Sequence, residues 1–392
     1  APPTPTAPPA RLTAQASPQG HRPAGPALPT VPPGQLHAYL LAGPQQLSLL
    51  LAGPRGSQVV QVPVGAVALT QEVAGLRDQV EQRGDVLPDA QRLFKLIGQP
   101  LVTHARRHQA RRIVLWLDGP LRYLPIGLLH DGQRHLVEQF ELVVNAADSL
   151  TAARTGARPA PGPQRSHRAA TALLQAWGVT QALAGMPALP AVADELCGIV
   201  DGPMDGLSAA EGAACLPGPR GKGPWPGTGH LNAQFTEAAL VQAAHQAPPG
   251  HVLHLGTHFV LRPGNVSQSW LLVGDGSRLP LQRMRSLGLG SPSLVTLSAC
   301  DTGLQSARPG DGREVDGLAA ALLDNGARQV RASLWRLDDR ATATFMQHFY
   351  GQLAALQGDA PRALQRTQAF AARAGWPARH WAAFTLTTAV SR

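Results

Sequence analysis

Apolar residues recur on alternate positions over 35–41, 47–51 and 58–62, and Gly-Pro turns separate the three segments, which predicts three strands. The period then lengthens. Apolar positions at helical spacing over 66–82 and 88–104 predict two helices. The unbroken run Ile113-Val114-Leu115-Trp116-Leu117 predicts a strand buried on both faces. A turn at Asp118-Gly119-Pro120 follows it, and 136–144 reads as a further strand.

A Pro/Gly/Arg-rich break at 153–168 separates this half (35–152) from the next (169–392). In the second half helices are predicted at 192–200, 236–246, 314–325, 340–356 and 361–373, with a Gly/Pro-rich loop across 202–229. Strands are predicted to end at His258 and at Cys300, and to lie near 270–273 and over 329–335. Strands alternating with helices imply a mostly parallel sheet with right-handed crossovers and helices on both faces. The expected fold class is α/β: a three-layer α/β/α body preceded by an N-terminal strand/helix subdomain. Residues 1–34, rich in Pro and Ala without an apolar period, read as a disordered leader or linker.

Two of these strands end on chemically active side chains. The first is Val252-Leu253-His254-Leu255-Gly256-Thr257-His258, and the second is Leu294-Val295-Thr296-Leu297-Ser298-Ala299-Cys300, broken at once by Asp301-Thr302-Gly303. In open α/β sheets ligands and chemistry gather beyond the carboxyl ends of the strands. If the two strands are neighbours, an imidazole and a thiol meet there, as a cysteine hydrolase requires. The backbone N–H groups of Phe259 and Cys300 would then face a developing oxyanion. His251, His254 and His258 lie close in sequence, but no carboxylate or cysteine stands at ligand spacing, so neither a metal nor another cofactor is expected.

Composition narrows the alternatives. At 392 residues and 44% hydrophobic content the chain can build a large core, and it contains no apolar run long enough for a membrane span. The net charge of +9 raises nucleic acid as a partner. Lysine, however, occurs only at Lys95 and Lys222, and the densest basic cluster, 104–112, falls at a predicted helix end without interleaved aromatics. Nucleic acid is therefore not the expected partner. Cys197, Cys215 and Cys300 have no paired spacing. The reading is a buried structural Cys197, an incidental loop thiol at Cys215 and, by default, a reducing, cytoplasmic setting.

The words around the two strand ends are more specific. The segments "VLHLGTHF", "SWLLVGDGSRLPLQRM", "LVTLSACDTG", "DGREVDGLAAALLDNGARQVRASLWRLDDRATATFMQHFY" and "HWAAFTL" resemble the CHAT family, peptidase-like domains of the caspase-fold clan that includes separase. Upstream, "LWLDGPLRYLPIGLLHDGQRHLVEQFELVV", "LPAVADELCGIVDG" and "LNAQFTEAAL" match in the same order, so the resemblance runs from about Gln35 to the C-terminus. It implies a caspase-like fold, a pseudo-caspase-like first half, His258 as catalytic base and Cys300 as nucleophile.

By the same resemblance, an acid in the "SLW-x-x-DD" loop, Asp338 or Asp339, would line a substrate pocket. Asp301 is a further candidate, and helix capping is the competing role for Asp339. One departure is Phe259, where many members have Gly. Such a residue keeps its N–H but disfavours a left-handed backbone. The function implied is a cysteine endopeptidase acting on a protein partner, latent until activated, with 302–312 as an activation loop. A non-catalytic CHAT scaffold or effector is the alternative, and an upstream sensor module such as tetratricopeptide repeats is an expected neighbour.

Overall fold

The first three alternating segments form an antiparallel meander of β1 (Gln35–Ala42), β2 (Leu47–Gly53) and β3 (Gly56–Val62). In β1 every second residue, Leu36, Ala38 and Leu40, is fully buried, as the alternation requires. The structure is a computed structural model that describes residues 30–146, 172–261, 268–298, 301–302 and 313–388. The leader, apart from its last five residues, and the 153–168 break lie outside them.

Two helical stretches follow. One is α1 (Ala66–Glu81). In the other, α2 (Leu87–Leu93) passes through a single π turn, Phe94–Gly98, into α3 (Gln99–Arg107). Pro88 sits in the first turn of α2, where its missing N–H costs nothing. The run at 113–117 becomes β4 (Arg112–Leu117), parallel to β1.

The expected strand at 136–144 divides into a helical turn, Leu136–Gln139, and β5 (Glu141–Asn145). The cause is a capping box: the Glu138 carboxylate accepts the His135 N–H at 2.8 Å and holds the turn closed. The basic cluster has internal partners. Arg112 lies 2.7 Å from Glu141 and 3.3 Å from Asp359, and His104 is buried between Pro100 and Gln58.

In the second half the remaining strands are β6 (Leu174–Gly178), β7 (Val200–Asp201), β8 (Met204–Asp205), β9 (Trp225–Leu231), β10 (Val252–Gly256), β11 (Phe259–Leu261), β12 (Trp270–Leu272), β13 (Arg278–Pro280), β14 (Leu294–Leu297), β15 (Asp301–Thr302), β16 (Gln329–Ser333) and β17 (Phe384–Thr388). The helices are α4 (Ala191–Ile199), α5 (Glu237–Gln246), α6 (Arg313–Asp324), α7 (Asp339–Ala355) and α8 (Ala360–Arg373). Part of the expected Gly/Pro loop is thus sheet. Gly227 of β9 permits it, because a Cβ there would stand 2.0 Å from the Leu174 carbonyl oxygen of β6.

Among the described residues one sheet of 13 strands carries the fold, in the order β3-β2-β1-β4-β5-β17-β16-β14-β10-β6-β9-β7, with β8 also on β9. Apart from β1–β2–β3 and β16–β17, its pairs are parallel. β17 joins the halves, pairing with β16 on one side and β5 on the other, so the N-terminal strands belong to the same sheet. A second sheet, β13-β12-β11-β15, grows from the ends of β10 and β14.

The two faces carry separate cores. Leu253 and Leu255 of β10 pack with Leu240 of α5 and Leu318 and Leu322 of α6, whereas Val252 belongs with Leu196 of α4 and Phe345 and Phe349 of α7. Each such fully buried side chain is worth about 1.5–3 kcal/mol. The result is the three-layer α/β/α arrangement.

The cysteine reading needs correction. Cys197, fully buried in α4, is disulfide-bonded to Cys215, with a Cα–Cα distance of 5.1 Å. Cys215 follows the short turn Glu211–Ala214, and the segment returns along α4, where the Lys222 N–H donates to the Cys197 carbonyl at 2.8 Å. A separation of 18 residues matches no motif, so only the fold reveals the pair. Cys215 is not an incidental thiol, and the cysteines give no support for a reducing compartment.

Candidate active site

β10 and β14 are adjacent and parallel, with Val252 opposite Leu294, Leu253 opposite Val295, His254 opposite Thr296 and Leu255 opposite Leu297. The main-sheet ladder closes where the Ser298 N–H donates to the Leu255 carbonyl at 2.9 Å. Pairing resumes in the second sheet, where Val260 stands opposite Asp301 and Leu261 opposite Thr302. The strand ends expected to meet do so. Cys300 itself lies outside the described residues, as does most of the expected activation loop, 302–312.

His258 sits between β10 and β11, only 3% exposed. Its backbone is fixed by the Leu272 N–H, which donates to its carbonyl at 2.9 Å, and by its neighbour Thr257, whose hydroxyl donates to Leu272 at 2.8 Å. The Nε2 atom lies 2.8 Å from the carbonyl oxygen of Pro187. A carbonyl only accepts, so Nε2 carries the proton, and in the neutral ring Nδ1 is the basic nitrogen. Pro187 belongs to the loop that leads into α4.

Phe259 is the second residue whose place is now defined. It opens β11 opposite Leu271, its backbone is not left-handed, and its ring, 1% exposed, fills the core with Leu253 and Leu255. The position therefore demands no glycine conformation in this chain, and its side chain serves packing.

Beneath the strand ends lies a buried polar cluster. Glu195 of α4 is 1% exposed, and its Oε1 accepts a very short hydrogen bond from the Ser298 hydroxyl. His254 Nε2 stands 2.9 Å from the same oxygen, and His254 Nδ1 lies 3.2 Å from the Tyr350 hydroxyl of α7. Burial pushes the Tyr350 hydroxyl well above the usual phenol range, so it stays protonated. His251 is fully buried in the turn before β10, its Nδ1 3.2 Å from the Pro248 carbonyl, and burial lowers its pKa. Among the described residues no group of three or more His, Cys, Asp or Glu is arranged to hold a metal ion.

The acids of the "LW" loop stand at helix starts. Asp338 is the N-cap of α7, its Oδ1 accepting the Ala341 N–H at 3.0 Å, and it lines a surface cleft with Arg83, Arg379 and His380. Asp339 reaches across to α4, where its Oδ2 accepts the Ala191 N–H at 2.7 Å. Burial raises its pKa to about 6, reinforced by the negative charges of Glu195, Asp338 and Asp194. Asp301 pairs in β15 through its backbone.

Sequence reasoning missed Glu195, Ser298 and the carbonyl of Pro187. A carbonyl has no sequence signal. Glu195, in contrast, stands at an apolar helical position within "ADELCGIV", and an acid on a buried face is the signal that points to it.

Layers, strand order and the pairing of β10 with β14 define a caspase-like α/β/α fold. The chain belongs to the CHAT domain family, whose model matches residues 87–389. No curated protein matches the sequence. Among solved structures it is similar to separase from Saccharomyces cerevisiae in complex with securin, with a TM-score of 0.50 at 7% identity over 91% of this chain and 30% of that one. It spans under a third of that separase chain. The Arg-specific cysteine proteinase gingipain R (RgpB) gives a TM-score of 0.39 at 12% identity, covering 84% of this chain and 68% of that one. The complex of the Porphyromonas gingivalis RgpB pro- and mature domains also gives 0.39 at 12% identity, over 83% and 69%. At these identities the likeness is one of fold alone. Among the described residues no helix is long and apolar enough to cross a membrane.

Proposed function

We propose that this protein is a cysteine endopeptidase that cleaves a protein partner, with Cys300 as nucleophile and His258 as general base. The observation that carries this reading is the parallel pairing of β10 with β14, which brings the two strand ends together while the Pro187 carbonyl orients His258. In the proposed reaction Nδ1 of His258 takes the thiol proton of Cys300, and the thiolate attacks the scissile carbonyl carbon. The N–H groups of Cys300 and Phe259 receive the oxyanion. Collapse expels the amine with the proton from His258, leaving a thioester. Water, deprotonated by His258, then hydrolyses the thioester and frees the thiol.

Asp301, next to the nucleophile in the chain, and Asp338 and Asp339 at the start of α7 are our candidates for lining the substrate pocket. The segment 302–312 is our candidate for an activation loop, with an upstream sensor such as tetratricopeptide repeats as the module that acts on it. The test is incubation of the wild type, Cys300→Ala and His258→Ala with a proteome-derived peptide library, followed by sequencing of new N-termini. New termini are expected with the wild type alone, and equal cleavage by either variant would sink the assignment.

A further inference from the structure

We propose that Glu195 is a positioning residue for the nucleophile, tying Ser298, two residues before Cys300 in the chain, to His254 in the neighbouring strand and to helix α4. The inference rests on the catalytic reading of Cys300 and His258 and deepens it.

The location makes the case. Among the described residues Ser298 is the last before β15, and its N–H is held by the Leu255 carbonyl of β10. The backbone contact fixes its distance from β10. The Ser298 side chain is committed to Glu195. A carboxylate at 1% exposure is expensive to bury, and an apolar residue at this helical position would pack α4 onto the sheet with no such cost. What the carboxylate supplies is direction: one oxygen, Oε1, takes the Ser298 hydroxyl and stands 2.9 Å from His254 Nε2. His254 is in turn held by Tyr350 from α7. The Ser298–Glu195 hydrogen bond, made out of contact with water, holds the Ser298 side chain in one direction.

The same segment also serves the base. Pro187, eight residues before Glu195 in the sequence, holds Nε2 of His258. One stretch of chain thus touches the region of both candidate catalytic residues, Pro187 on the imidazole and Glu195 on the strand that leads to the thiol. The stretch is itself braced. Asp339 accepts the first N–H of α4, and the Cys197–Cys215 disulfide anchors its far end. In this proposal α4 acts on the nucleophile through Ser298 and on the base through the Pro187 loop.

The test reads the thiol directly and needs no substrate. The rate of Cys300 alkylation by iodoacetamide, quantified by peptide mass spectrometry, is measured from pH 5 to 9 in the wild type, Glu195→Gln, Glu195→Ala, Ser298→Ala and His258→Ala, each well below its melting temperature. The wild-type profile should bend below the ordinary thiol value of about 8.5. Glu195→Ala should lower the neutral-pH rate by about 10-fold or more and move the profile towards alkaline pH. Glu195→Gln should stay within about 3-fold of the wild type, because the amide oxygen still accepts the Ser298 hydroxyl. Ser298→Ala should shift in the same direction as Glu195→Ala, and it decides the matter if that variant does not fold. A Glu195→Ala (or, in that case, Ser298→Ala) profile that coincides with the wild type, while His258→Ala is impaired, overturns the positioning role and leaves the dyad standing. An ordinary thiol profile in the wild type, unchanged by His258→Ala, overturns both.

Discussion

Nε2 of His258 and the carbonyl oxygen of Pro187 stand 2.8 Å apart, across 71 residues of sequence. This contact selects the tautomer of the imidazole. Nitrogen-15 correlation spectra of the neutral ring should therefore show a protonated Nε2 and an unprotonated Nδ1. The opposite tautomer would remove the base from the proposed reaction.

Asp339 makes stability depend on pH in an unusual direction for a carboxyl. Its pKa rises from 3.8 to about 6 on folding, so between those values the folded chain holds a proton that the unfolded chain has released. Its contribution is most favourable below pH 3.8 and is lost as pH rises through 6. Asp339→Asn keeps an acceptor for the Ala191 N–H and cannot ionise. Relative to the wild type, this variant should gain stability as pH rises from about 4 to 7, read from melting temperatures at both ends. A constant difference across that range would contradict the assignment.

Much of the scaffold was legible in the apolar pattern. Leu36, Ala38 and Leu40 alternate because one face of β1 is core, and the run at 113–117 is unbroken because β4 is covered on both sides. Other elements carried no readable period. β9 runs through Gly227 and Gly229, which read as loop because close approach of the β6 backbone at Gly227 and of the Met204 side chain of β8 at Gly229 decides their identity. β6, "LQAWG", is short and has Gln175 at its second position, whose amide donates to the Ala243 carbonyl in α5. β17 showed itself only as the family word "HWAAFTL", yet it joins the two halves. At the site, His258 and the approach to Cys300 were visible as strand ends. Glu195 and the Pro187 carbonyl were not, because their roles exist only once α4 lies across the sheet.

The disulfide between Cys197 and Cys215 closes a loop of 18 residues. The entropy such a closure removes from the unfolded chain is worth about 3 kcal/mol. Reduction, or Cys215→Ser, should lower the unfolding free energy by roughly that amount in urea titration and should increase protease cleavage between 202 and 224. An unchanged midpoint would mean that the pair does not brace α4.

Phe259 gives a test of how this chain departs from its family's common glycine. Its ring is core, so Phe259→Gly should cost about 3–5 kcal/mol of stability, as other large-to-small core changes do. Urea titration reads the loss directly. A neutral change would show that the ring is not part of the core it shares with Leu253 and Leu255.

The central claim is that His258 activates Cys300. The most direct measurement is stoichiometric labelling by a peptide acyloxymethyl ketone, with the modified residue located by mass spectrometry in the wild type and in His258→Ala. The account predicts one label per chain, on Cys300, in the wild type and almost none in the variant. Equal labelling in both, or a label with no preference for Cys300, would contradict it.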